Sequence, residues 1–415
     1  MKPLRILAVL APLALAACGT QSAGQTLADA APSFAALSMD QTGADTSPTG
    51  TPTGSLAVDP SAAAMVAPDA PCHPHLFVRT HEVVERFNRH LYKFLWHVER
   101  ALENAPKFAT ASQGVWEHTY MNGVTARLTI TQPATGQFTW LLEVAPKNGS
   151  FVTVFSGDID RTQASGPHQG KGSLKLDLDA LHSVLPQEHA VGVIQAGFDV
   201  KNGSRYIVVD AAKVAWEINP GMCPTENGAE ISSGALAVLS QPRSGHYVYL
   251  REAGKGGSLQ IKDQMVFFCP ANPSYLLADA VVVGRWYRLG DGSLHGRADA
   301  QMTGGQLPSH VPAIDKIVGV TCYQSSTEDR MPGELYWLMK SEDATGATIT
   351  GAELSLEGGS VSTCDPQLNQ GGGLSTDPVV VPKLADDKSD FDFTKIVFGT
   401  DVNPNSNPPY PFPGM

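Results

Sequence analysis

Between Phe77 and Asn104 the large apolar residues recur at steps of three and four: Val84, Phe87, Leu91, Leu95, Val98 and Leu102. That period draws one apolar stripe along a helix, and Pro106 marks its end. From Gly114 to about Ile218 the period drops to two. Trp116, His118 and Tyr120 alternate, then Ala126, Leu128 and Ile130, then Phe138, Trp140, Leu142 and Val144. Such alternation predicts strands with one buried face, with further strands near 151–155, 171–178, 192–200 and 206–209. Asn122-Gly123, Asn148-Gly149 and Asn202-Gly203 stand between strands, and Asn-Gly fits a two-residue hairpin because both residues tolerate positive φ. The sheet is therefore predicted to be antiparallel, curled around the helix that precedes it.

Pro220-Gly221-Met222-Cys223-Pro224 reads as a boundary, after which strand patterns resume near 235–239, 247–251, 259–269, 280–289, 293–302, 317–323, 335–340 and 348–356. The fold class expected is mainly β (α+β): an N-terminal helix followed by two antiparallel β-sheet units, 72–220 and 221–370. Gly172-Ser173-Leu174 with Asp179-Ala180 is echoed by Gly292-Ser293-Leu294 with Asp299-Ala300, which hints at related units. The ends of the chain are different. Residues 18–71 are rich in Ala, Ser, Thr, Gly and Pro and cannot bury enough surface to fold, so they read as a tether. As a coil it would reach about 40 Å. Residues 371–415, with five prolines in the last dozen, read as a disordered tail.

The start of the chain changes the picture most. Lys2 and Arg5 precede an apolar run from Ile6 to Leu15, and Leu15-Ala16-Ala17-Cys18 follows. A basic region, a short apolar region and small residues before a cut make a secretory signal, here residues 1–17. The order of residues resembles the lipobox of bacterial lipoproteins. That resemblance implies that Cys18 is acylated, as with palmitate, and becomes the new N-terminus. Two or more acyl chains, at about 0.8 kcal/mol per buried methylene, anchor stably where one does not. Gly19, in place of the aspartate that retains some lipoproteins at the inner membrane, implies the outer membrane, so the protein is expected in the cell envelope, facing the periplasm or the surface.

Charge narrows the partners. The chain carries a formal charge of −12, and loss of Lys2 and Arg5 makes the mature form more acidic. Such a chain repels nucleic acid unless it bears a basic patch, and none is written in the sequence. The partners expected are the membrane, through the lipid, and either an envelope macromolecule or a hydrophobic ligand.

Besides Cys18 there are Cys72, Cys223, Cys269, Cys322 and Cys364, in a compartment that allows disulfides. The favoured pairs are Cys269 with Cys322 and Cys223 with Cys364, with Cys72–Cys223 as an alternative. No Cys-x-x-Cys occurs. His73 and His75, alternating beside Cys72, are the better metal candidates, because His81, His90 and His97 do not converge on one helix face. Asp158 with Asp160 and Asp177 with Asp179 place carboxylates two apart, but neither pair carries the rest of a calcium loop. Trp286-Tyr287 and Tyr336-Trp337 fit a strand core better than a sugar surface. Gly-x-Ser-x-Gly and His-Glu-x-x-His are both missing. With no cofactor expected, the function favoured is noncatalytic binding or scaffolding at the envelope. A hydrophobic-ligand carrier and a metal-dependent envelope enzyme are the alternatives.

Overall fold

The computed structural model describes residues 27–39, 76–188, 190–215, 241–252, 256–269, 272–288, 293–325, 333–349 and 356–364. Among these residues fifteen antiparallel strands form one sheet in simple sequence order. They are β1 (Phe108–Ala109), β2 (Gln113–Thr119), β3 (Thr125–Ala134), β4 (Gln137–Ala145), β5 (Val152–Asp160), β6 (Gly170–Asp177), β7 (Val191–Lys201) and β8 (Ser204–Ala215). The sheet continues with β9 (Arg243–Glu252), β10 (Gly256–Cys269), β11 (Asn272–Arg288), β12 (Leu294–Gly305), β13 (Lys316–Ser325), β14 (Gly333–Glu342) and β15 (Leu356–Gly359). The two β units suggested by the sequence are joined edge to edge, because β8 pairs with β9 from Arg205↔Arg251 to Val214↔Arg243. A sheet edge left between them would have exposed a row of unpaired backbone groups.

The helices α1 (Phe34–Leu37), α2 (Leu76–Leu102) and α3 (Leu178–Val184) accompany the sheet. The apolar stripe of α2 is the centre of the fold. Phe87, Leu91, Phe94, Leu95 and Val98 are buried in one core with Trp116, Leu128, Trp140, Phe155, Phe198, Tyr249, Trp286 and Tyr323. Each such side chain contributes about 1.5–3 kcal/mol by leaving water. Helix α2 touches β2 and β3 on one flank and β11, β12 and β13 on the other, so the open sheet curls around it. The predicted hairpin at Asn202-Gly203 is found, with φ of 52° and 80°, the two positive values that a type I′ turn requires.

Four expectations are corrected. Residues 27–39, placed by composition in the tether, are part of the body: Leu27, Ala30, Ala31, Leu37 and Met39 are buried. Ser33 caps α1 through its side chain, and Asn88 of α2 grips the backbone of Met39 on both sides, accepting from its N–H at 2.8 Å and donating to its carbonyl at 2.7 Å. Second, β6 stops at Asp177, which accepts from the Ala180 N–H and so caps α3. Asp177 and Asp179 thus share no strand face. Third, the repeat hint fails, because Asp179 lies in α3 whereas Asp299 lies in β12.

The fourth is the disulfide. Cys322 is bonded to Cys364, with Cα atoms 5.4 Å apart. Cys269 ends β10, three strands from β13, and three spacings of about 4.8 Å exceed the ~7 Å that a disulfide can span. Cys364 is nearer because Cys322 faces Tyr336 on β14 and Tyr336 faces Gly359 on β15, after which a 3-10 turn at Val361–Thr363 brings the chain back. Cys322 and Cys364 are buried with Val320, Tyr336 and Leu338. Cys364→Ser is expected to lower stability by about 2 kcal/mol, since β14 and β15 already hold the two segments close. Urea unfolding of both forms measures it.

Candidate functional site

A group of polar and aromatic side chains gathers at the C-terminal end of α2. Helical spacing puts Lys93, Trp96, His97 and Arg100 on neighbouring flanks of the last turns, and the alternation of β2 sends His118 toward Tyr120, in the β2–β3 turn. There they meet. Trp96 stacks on Tyr120 with centroids 5.4 Å apart and planes at 16°, and the Arg100 guanidinium stands 5.6 Å from the Trp96 centroid. His97 meets the Tyr120 ring edge-on, its Nδ1 lying 2.6 Å from the phenol oxygen. His118 makes a second edge contact with Tyr120 at 4.6 Å, and its Nδ1 is 3.3 Å from the Asn104 amide nitrogen.

A cation and a carboxylate border this group. Lys93 Nζ lies 2.5 Å from Glu188 Oε2, both side chains about a quarter exposed. Glu188 follows α3, and its carbonyl lies 2.5 Å from His182 Nδ1. Beyond Arg100 the helix ends in an exposed Arg100–Glu103 pair at 2.7 Å, while the Asn104 side chain donates to the Arg100 carbonyl.

Burial sets the chemistry of the pair at the centre. Loss of water pushes the His97 imidazole down to about 4, opposed by the nearby Glu188 carboxylate and aided by His118. Burial likewise raises the Tyr120 phenol above its usual range, against the pull of Arg100. At neutral pH both are uncharged and hydrogen-bonded to each other. A histidine that far below 7 is a poor proton acceptor, and a phenol held protonated is a poor nucleophile, so the arrangement suits contact better than acid–base work. Trp96, His97, His118 and Tyr120 are partly accessible, and Tyr92, one turn earlier, is exposed and stands edge-on to Phe34 of α1 at 5.4 Å.

The sequence candidates are scattered relative to this group. Cys18, Cys72, His73, His75 and Cys223 lie outside the described residues. Of the helix histidines, His81 stacks on Phe77, His90 is buried, and only His97 reaches the cluster. Among the described residues no three His, Cys, Asp or Glu side chains are arranged to hold a metal ion. Asp158 accepts from Ser173 and Asp160 from Thr162, so those carboxylates tie strands and turns. Trp286, Tyr287 and Tyr336 are buried, as their strand positions suggested. Tyr120, Asn104 and Glu188 were missed, although the Trp96-His97 dipeptide with Arg100 one turn on could have marked the helix end. Comparison with models of protein families, with curated proteins and with solved structures finds no match.

Proposed function

We propose that this protein is a cell-envelope lipoprotein, held at the outer membrane through acylated Cys18, that acts as a noncatalytic binding or scaffolding module. The observation that carries the reading is the partly exposed platform of Trp96, His97, His118 and Tyr120, fixed on the packed core. Aromatic side chains with a polar edge are the residues that most often anchor protein contacts. Its partner is an envelope macromolecule.

The alternative of a hydrophobic-ligand carrier receives less support. The concave face against which a greasy ligand would lie is packed by Phe87, Leu91, Phe94, Leu95 and Val98 of α2, so a ligand there would have to displace the helix. Native mass spectrometry of gently purified protein separates the two readings. A bare mass, together with retention on isolated envelope fractions that Trp96→Ala abolishes, is expected for the binding module. An added mass of a few hundred daltons, unchanged by Trp96→Ala, would instead favour the carrier. The anchor is tested separately by membrane fractionation, where Cys18→Ser is expected to release the protein into the soluble fraction.

A further inference from the structure

We infer that residues 27–39 form a docked strap that sets how the body stands on its membrane: the end of the sheet bearing the β5–β6 and β7–β8 hairpins faces the bilayer, and the Trp96–Tyr120 platform faces away. This rests on the acylation of Cys18. It adds an orientation, and thereby places the partner on the side remote from the anchoring membrane.

The strap is held by side chains distant in sequence. The His168 N–H donates to the Asp29 carbonyl at 3.0 Å, and His168 Nδ1 lies 2.7 Å from the Ala31 carbonyl. Arg205 donates to the Ser38 carbonyl at 2.8 Å, and Asn88 grips Met39. His168 lies in the β5–β6 hairpin and Arg205 beside the β7–β8 turn, so the strap enters at that end of the sheet. Leu27, Ala30 and Ala31 are buried as it enters.

Only nine residue steps separate Cys18 from Leu27, a reach of about 30 Å at full stretch. Strands such as β4, with nine residues, are themselves about 30 Å long. That greatest reach is no more than the height of the sheet, so the end where the strap is docked stays beside the bilayer. Tyr120 in the β2–β3 turn and Glu188 in the α3–β7 connection belong to the opposite end, since β2 and β6 run away from the docked hairpins toward them.

Exposed lysines mark both ends: Lys171 and Lys201 beside the strap, Lys147 and Lys213 toward the far end. Full-length acylated protein in phosphatidylethanolamine–phosphatidylglycerol vesicles is treated with a membrane-impermeant amine acetylating reagent, with detergent-solubilised protein as reference, and each lysine is followed by peptide mass. Lys171 and Lys201 are expected to lose most of their reactivity in vesicles while Lys147 and Lys213 keep theirs. Inserting roughly 20 Gly/Ser residues after Ser22, which raises the greatest possible reach to about 100 Å, is expected to abolish the protection without releasing the protein from vesicles. Arg205→Ala with Asn88→Ala tests the clamp in the same way, and the insertion serves where that variant fails to fold. Equal reactivity at both ends of vesicle-bound protein, protection of Lys147 and Lys213 instead, or protection that survives the insertion would overturn the orientation while leaving the anchor standing. An N-terminal peptide without acyl mass would overturn the anchor, and the orientation with it.

Discussion

Replacing Asp299 by alanine is expected to cost about 3–5 kcal/mol of folding stability, the range for breaking a buried ion pair from one side. Asp299 is fully buried on β12 and is held by two arginines: Arg285 Nη2 donates at 2.8 Å, and Arg297 donates through Nη2 at 2.7 Å and Nε at 3.0 Å. Arg285 faces Arg297 directly across the β11–β12 ladder, and Asp299 is two residues along on the same face. Without the carboxylate two guanidinium groups, each about 1% exposed, lose the buried acceptor they share. The exposed pair of Lys107 with Glu117 supplies the contrast, because one partner is largely in water. Glu117→Ala is expected to cost at most about 1 kcal/mol. Urea unfolding of the two variants beside the parent protein measures both, and equal losses would show that burial does not govern the Asp299 cluster.

That cluster also shows where reading the sequence reached its limit. Alternation along β3 and β4 correctly marks one buried face, because Leu128, Ile130, Trp140 and Leu142 turn toward α2 and their neighbours toward water. In β12 and β13 both faces are buried, so the arginines and aspartate that alternation assigns to solvent lie inside. The stripe of α2 was legible since a period of 3.6 is local, and the Asn202-Gly203 turn since it depends on two residues alone. The strap was not. Its alanines and serines bury little area each, and its backbone is satisfied by Asn88, His168 and Arg205, which lie 49 to 167 residues away. The Cys322–Cys364 bond likewise depends on strand order, and the His97–Tyr120 contact on the β2 hairpin folding back over the helix end.

Lowering the pH from 7 to 4 is expected to remove about 3 kcal/mol of stability through His97 alone, at 1.36 kcal/mol per unit of difference between its folded and unfolded values. The sign follows from proton binding. In the unfolded chain the imidazole takes up a proton near the ordinary histidine value of 6.5, whereas in the folded protein burial holds it down to about 4. Between those two values the unfolded chain binds a proton that the folded one refuses, so stability rises with pH across the window and falls as the pH drops through it. Glu188 pulls the value up and His118 pushes it down, both less than burial does, and the Tyr120 phenol beside Nδ1 stays protonated throughout. Carboxylates elsewhere also begin to titrate near pH 4, so the measurement compares urea unfolding of the parent and His97→Phe at both pH values. The variant should lose less stability on acidification, by about 3 kcal/mol, whatever its stability at pH 7. Identical losses in the two proteins would mean that His97 takes up its proton in the folded state as readily as in the unfolded one. The contact with Tyr120 would then open in mild acid, which makes this comparison a direct report on whether the platform is rigid.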